Sequence, residues 1–326
     1  MPNRLMLIPG ALLAASSASC GGSADADRSA GQAGDPGGML PGPSLPSSIM
    51  AERGGFIPEG IEYDELNGRL LTGSLTEGSI MEIHSDGRVS AVVTDPELVS
   101  SVGIEADEPR GRLLVANADR RVFEGASGGQ AKLGVYDLAT GDRIAMVDLA
   151  ASIADGAAGL SHFANDVAVG DDGTAYVTDT MAGIIYRVDA EYRASVLYRS
   201  DAPEPPGLNG IVVHSDGYLL VAAGSTLWKV PIADPESAAP VVLPEEISGQ
   251  DGMVWTADGR LAIVSNSTQR LVALTSSDGW ATADLAGVGT FEPQGTTVAV
   301  VGEELYVVHP HFADADPPSV SRVTLR

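Results

Sequence analysis

Cysteine occurs once in the 326 residues, at position 20, which excludes a metal site built from thiolates. Basic residues are scarce as well. Nineteen Lys and Arg stand against 44 Asp and Glu, a formal net charge of −25. That balance argues against nucleic acid or an anionic membrane surface as a partner, because phosphate contacts rely on Lys and Arg. The acidic residues are scattered, and a solvated surface explains most of them. Aromatic residues make up only 5% of the chain, and no long helical periodicity is visible. Beyond the N-terminus no apolar run is long enough to cross a bilayer. The Gly-x-Ser-x-Gly elbow, the Walker loop, the dinucleotide fingerprint and the EF-hand spacing are all missing. Any chemistry therefore has to come from residues brought together by the fold.

What is plentiful is glycine, 39 residues, many of them in DG, SDG, ADG and NG turns between short apolar runs. The stretch Phe163 to Thr180, FANDVAVGDDGTAYVTDT, reads as two strands joined by an Asp-Asp-Gly turn. Glycine accepts the positive φ that such a turn demands, so the pattern is a hairpin signal. It recurs as PEGIEYDELNGRLLTGS from Pro58, VGIEADEPRGRLLVAN from Val102 and LNGIVVHSDGYLLVAAG from Leu208. Two more copies are QDGMVWTADGRLAIVSN from Gln250 and PQGTTVAVVGEELYVVH from Pro293. Aligned on Gly60, Gly103, Asp166, Gly210, Gly252 and Gly295, the copies are spaced by 43, 63, 44, 42 and 43 residues. A period of about 40–50 with four strands per unit marks a β-propeller blade. The chain is thus expected to be all-β, a six-bladed propeller, with the extra residues of the long interval in loops.

Rotational equivalence of the blades makes the residue before each anchor part of a ring around the axis. Those residues are Glu59, Val102, Asn165, Asn209, Asp251 and Gln294. Five of the six carry carboxylate or amide oxygens. Oxygens converging on one point suit a hard divalent cation, Ca²⁺ before Zn²⁺.

The last unit, Gly295–Val301, Glu304–His309 and Ser319–Leu325, is one strand short. The missing strand is expected from the N-terminal side, near Leu45–Arg53, which would remove exposed edges. Three insertions, Ala118–Lys132, Ala150–His162 and Pro310–Pro318, fall on the face that carries the ring and are expected to roof it. Leu149–Gly159 is expected to form a short helical turn. Asn117 and Asn266, at the ends of second strands, are further candidates to point over the site. His309 and His311 flank Pro310 and are expected to be exposed, with His309 a candidate substrate contact. His84 and His214 precede turns on the far side and are discounted.

Residues 1–20 read as an export signal, with Arg4, an apolar run from Leu5 to Ala15 and small residues before Cys20. The small residues before Cys20 resemble a bacterial lipobox, which would make Cys20 the lipidated terminus. Ser17 stands where Leu is usual, so ordinary signal cleavage stays open. Residues 21–48, rich in Gly, Ser, Ala, Asp and Pro, are expected to be a flexible tether. Residues 49–326 then form the propeller. The expected location is the bacterial cell envelope, as a lipoprotein of the periplasm or outer membrane, or the secreted fraction.

The repeats and their polar heads resemble the calcium-dependent six-bladed propellers of the regucalcin/gluconolactonase family, and equally the paraoxonases and squid-type diisopropylfluorophosphatase. The resemblance spans residues 56–325. It implies a catalytic Ca²⁺ held by Glu59 in PEGI, Asn165 in FAND, Asn209 in LNGI and Asp251 in QDGM. It also departs from those families. Paraoxonases carry a His pair where this chain has Val102 and Ala118, and gluconolactonases an Arg where it has Phe163. An apolar ester or lactone is therefore expected over a sugar lactone.

The implied chemistry is metal-assisted hydrolysis, with Asp251 and Asn165 the candidate catalytic residues. Asp251 either ligates only or also acts as base toward water. Phe163, Gln294 and His309 are the candidate substrate contacts. The cofactor is expected to be Ca²⁺ or another divalent cation, and the partner a small lactone or ester. Membrane association is expected only through the N-terminal lipid, and the chain is expected to be a monomer. Two competing readings are a non-catalytic binding propeller with a structural metal, and a quinone-dependent redox propeller. The latter is disfavoured because no basic or aromatic cofactor pocket is evident.

Overall fold

Each pair of β-branched runs around an Asp-Gly or related turn folds as an antiparallel hairpin, and a further two strands complete the unit. In a computed structural model that describes residues 45–154, 159–200, 207–312 and 316–326, these units form six separate sheets. The export signal, Cys20 and the tether up to residue 44 lie outside the described residues, as does 155–158 of the second insertion. Blade one runs Ile61–Asp64, Arg69–Thr72, Ile80–Ile83, Val89–Val93. Blade two runs Ser100–Asp107, Arg112–Ala118, Lys132–Asp137, Arg143–Asp148. Blade three, built on the opening hairpin of the repeat, runs His162–Val169, Ala175–Asp179, Ile184–Val188, Ala194–Arg199. Blades four and five start at Leu208–His214 and Gln250–Trp255, and blade six at Val298–Val301.

Blade six closes as expected. Its outer strand is Ser48–Met50, paired antiparallel with Ser319–Val323 through Ser48↔Ser321, Ile49↔Val320 and Met50↔Ser319. Leu45 packs against the same core and its carbonyl accepts a hydrogen bond from Tyr306 Oη at 3.0 Å. The fold therefore takes in the last residues of the expected tether, 45–48. Two boundaries shift: the inner strand of blade six begins at Val298 rather than Gly295, and its third strand ends at Val323. The helical turn expected over 149–159 is a single 3-10 turn, Ala150–Ser152.

Apolar side chains fill the spaces between neighbouring sheets. Leu114, Leu133 and Val135 of blade two meet Val167, Val177 and Ile184 of blade three. Full burial of such side chains stabilises by about 1.5–3 kcal/mol each. Around the axis, hydrogen bonds tie each blade to a neighbour. Gly60 N donates to Val102 O at 3.2 Å, Gly252 N to Thr296 O at 2.9 Å, and Thr296 Oγ1 to Glu59 O at 2.7 Å. Ile211 N donates to Asp166 Oδ2 at 3.1 Å, joining blades three and four. Here the anchors need glycine. A Cβ on Gly60 would lie 2.6 Å from Val102 O, and one on Gly103 2.2 Å from Asp166 Oδ1.

Among the described residues, no helix is long and apolar enough to cross a membrane.

Candidate functional site

In four blades the pairing of the first two strands slips by a residue at the anchor. The register shifts fall between Ser101 and Ile104, Ala164 and Val167, Leu208 and Ile211, and Gln250 and Met253. A bulge re-aims the side chain that it contains. Val102, Asn165, Asn209 and Asp251 all lie in these bulges, and with Glu59 they line one cavity of about 450 Å³. The four expected metal ligands thus share a single space at the end of the axis.

Two of their oxygens have no partner. Asn165 is 7% exposed and donates from Nδ2 to Thr180 Oγ1 at 2.9 Å, while its buried Oδ1 accepts nothing. Asp251 is 5% exposed; Asn266 Nδ2 donates to its Oδ2 at 2.9 Å, and its buried Oδ1 is likewise unsatisfied. Leaving a buried polar atom unpaired costs roughly 1–3 kcal/mol, so two in one cavity mark a place where a water or an ion would be held. The donor set is carboxylate and amide oxygen only, which fits a hard divalent cation. Among the described residues no group of three or more His, Cys, Asp and Glu could hold a metal, so a cation here would have to use the amides too.

The electrostatics point the same way. Burial, then the charges of Asp251 and Asp166, holds the Glu59 carboxyl well above the usual carboxylate range. Burial pushes Asp251 up to about 7, against the hydrogen bond from Asn266 that favours its charged form. Carboxyl groups are thus concentrated at this end of the axis.

The frame around the ring is fixed by further bonds. Asp179 accepts from Phe163 N at 2.9 Å and from His162 Nδ1 at 2.7 Å, which pins the head of blade three. Gln294 Nε2 donates to Asn266 Oδ1 at 2.7 Å, and Asn266 in turn holds Asp251.

Phe163 lines the cavity, as expected of a substrate contact, and is 4% exposed. Gln294 does not line it: the side chain is exposed and reaches the site only through Asn266, while Thr296 takes the lining position of blade six. His309 also fails to line it. Rather than exposed, it is wholly buried, with Nε2 against Ser321 Oγ at 2.7 Å and its ring beside Phe291. Burial lowers its pKa. His311 is half-buried, its Nε2 3.2 Å from Ser319 Oγ. Asn266 lines the cavity but Asn117 does not. Asn117 is buried and spends its amide on Val99 N, Glu97 O and Gln130 Nε2.

Two insertions reach the mouth. The first contributes Arg120, Phe123 and Glu124 from a 3-10 turn, Arg120–Glu124, and the third contributes Phe312. None of the described residues of the second insertion lines the cavity.

The structure adds a second ring. Two residues after each anchor stand Glu62, Glu105, Ala168, Val212, Val254 and Thr297, and all six line another cavity of about 200 Å³. Three residues along a strand is about 10 Å, so this is the other end of the channel. Burial and the Asp166 charge raise Glu62 to about 8; burial and the charges of Glu62 and Asp166 also raise Glu105. A larger cavity, about 540 Å³, is lined by hairpin-turn residues such as Asp172 and Ser215 and by His214 and Trp255, and includes none of the first ring.

No family profile matches the chain, and no curated protein matches it in sequence. Solved structures do match. The major Malassezia sympodialis allergen Mala s 1 superposes with a TM-score of 0.70 at 19% identity, over 86% of this chain and 97% of that one. A luciferin-regenerating enzyme gives 0.58 at 16% identity, over 85% and 94%. The PQQ-bound aldose sugar dehydrogenase from Streptomyces coelicolor gives 0.56 at 15%, over 87% and 100%. At such identities the likeness establishes the fold alone. An allergen and two enzymes share it, so the chemistry must be read from the site.

Proposed function

We propose that this chain is a hydrolase of lactones or related esters that depends on a divalent cation, Ca²⁺ first. The observation that carries the reading is the pair of buried, unsatisfied oxygens, Asn165 Oδ1 and Asp251 Oδ1, in one cavity with Glu59 and Asn209. Those four residues would hold the ion. When bound, it supplies Lewis-acid polarisation of the substrate carbonyl and stabilises the charge that develops on that oxygen.

The chain's own residues do the rest. Asn266 fixes Asp251 through Oδ2 and leaves Oδ1 facing the cavity. Asp251 either ligates only or, from Oδ1, takes a proton from an attacking water. The water oxygen bonds to the carbonyl carbon, the acyl C–O bond breaks, and the proton passes to the leaving alkoxide. Thr180 turns the Asn165 amide so that its oxygen, not its nitrogen, is free. Phe163 and Val102 keep bulk water from the floor.

Hydrolysis of a panel of lactones, aryl esters and phosphotriesters, with added Ca²⁺ and then with EDTA, tests the reading. Turnover abolished by EDTA is expected. Turnover that survives chelation contradicts it, and a bound ion without any turnover would favour the non-catalytic propeller with a structural metal.

The chain also reads as exported, with Cys20 as its lipid anchor. Labelling with a fatty-acid probe that is lost in Cys20→Ser is the expected result; a wild-type protein without label would leave simple secretion.

A further inference from the structure

The cavity has two unlike halves. Its floor is the oxygen set, and its wall is Ile57, Leu75, Val102, Phe123, Phe163 and Phe312. Phe163 is nearly covered, yet Phe123 is 61% and Phe312 47% exposed. They come from different insertions, 118–132 and 310–318, and face one space. Phe123 leans edge-on to Phe163, ring centroids 4.8 Å apart at 62°. The polar groups of this upper wall, Arg120 and Glu124, bond each other at 2.8 Å. Hydroxyls of a sugar would find few partners there, whereas an apolar chain would cover two rings now facing water. The volume, about 450 Å³, is that of a small-molecule site.

We propose that Phe123 and Phe312 set substrate specificity, taking between them the apolar substituent of a lactone or ester whose carbonyl lies over the floor. This rests on the hydrolase reading above and adds what the substrate carries: an uncharged alkyl or aryl body of several carbons.

The test is a homologous series of γ-lactones with side chains from methyl to octyl, assayed with Ca²⁺. Each buried methylene is worth about 0.8 kcal/mol, or about fourfold in kcat/KM, until the cavity is filled. Phe123→Ala and Phe312→Ala should each flatten that slope, with the largest loss for the longest chain. Both side chains are largely exposed, so neither change should unfold the propeller, although Phe123→Ala gives up the edge contact with Phe163. The matching alkyl lactams, which resist hydrolysis, are titrated calorimetrically in parallel. Should no lactone be turned over while lactam affinity still climbs with chain length and depends on Phe123, the hydrolase reading fails and the apolar clamp stands. A wild-type series flat in both measurements, or a slope unchanged in both variants, overturns the clamp.

Discussion

Asn266 Nδ2 lies 2.9 Å from Asp251 Oδ2, so one carboxylate oxygen is fixed from just beyond the neighbouring strand while the other faces the cavity unpaired. The asymmetry separates a positioning contact from a reactive one. Asp251→Asn should abolish hydrolysis, a loss of at least about 10²-fold in kcat by analogy with loss of a base or charge stabiliser. The far-ultraviolet circular dichroism should stay that of a β-protein. Retained turnover would remove Asp251 from the mechanism.

Asn266→Ala should act more weakly and through Asp251. The carboxylate loses one hydrogen bond that favours its charged form, so its pKa should rise further. The acidic limb of the kcat/KM profile should move to higher pH, which a purely structural change would not do. An unmoved profile with a uniform loss of activity would make Asn266 merely structural.

Stability of the metal-stripped protein should fall as pH rises. Asp251 at about 7 and Glu62 at about 8 keep protons that the unfolded chain, with carboxylates near 4, has released. Between those values the folded state binds more protons than the unfolded one, so stability present below pH 4 is lost through pH 7–8. Thermal melts in EDTA should give a lower midpoint at pH 8 than at pH 5, and Ca²⁺ should restore it. A midpoint that rises with pH in EDTA would contradict this environment.

The axis has no room at Gly103. Because a Cβ would sit 2.2 Å from Asp166 Oδ1 and 2.7 Å from its Cα, Gly103→Ala must displace a neighbouring blade. A loss of about 1–3 kcal/mol is expected, read as a lower urea midpoint at unchanged slope. Gly111→Ala is the comparison, since its left-handed φ of 61° costs backbone strain but nothing lies within 4 Å of the added Cβ. A Gly103→Ala midpoint equal to wild type would argue against tight closure at the axis.

The repeat was legible because each blade writes the same hairpin around a turn that contains glycine, Asp-Gly in blades three to five, and six such hairpins fix both the period and the blade count. Glu59, Asn165, Asn209 and Asp251 could be picked out since equivalent positions on rotated modules must meet at the axis. The same logic, applied three residues further on, reaches Glu62 and Glu105. Gln294 and His309 were harder. In blade six the inner strand starts only at Val298, so Thr296 replaces Gln294 at the cavity. His309 ends a strand, where sequence does not say that its ring turns toward Phe291 and Ser321. Phe123 and Phe312 sit in insertions without a repeat partner, so no periodicity could place them.

The most direct measurement is calorimetric titration of Ca²⁺ into EDTA-treated, desalted protein at pH 8, alongside Asp251→Asn and Glu59→Gln. One ion per chain in the wild type, with affinity reduced at least about tenfold in each variant, a difference of about 1.4 kcal/mol, is expected if the two carboxylates share one ion. No binding in the wild type, or equal binding in all three proteins, would contradict a metal centre at the axis.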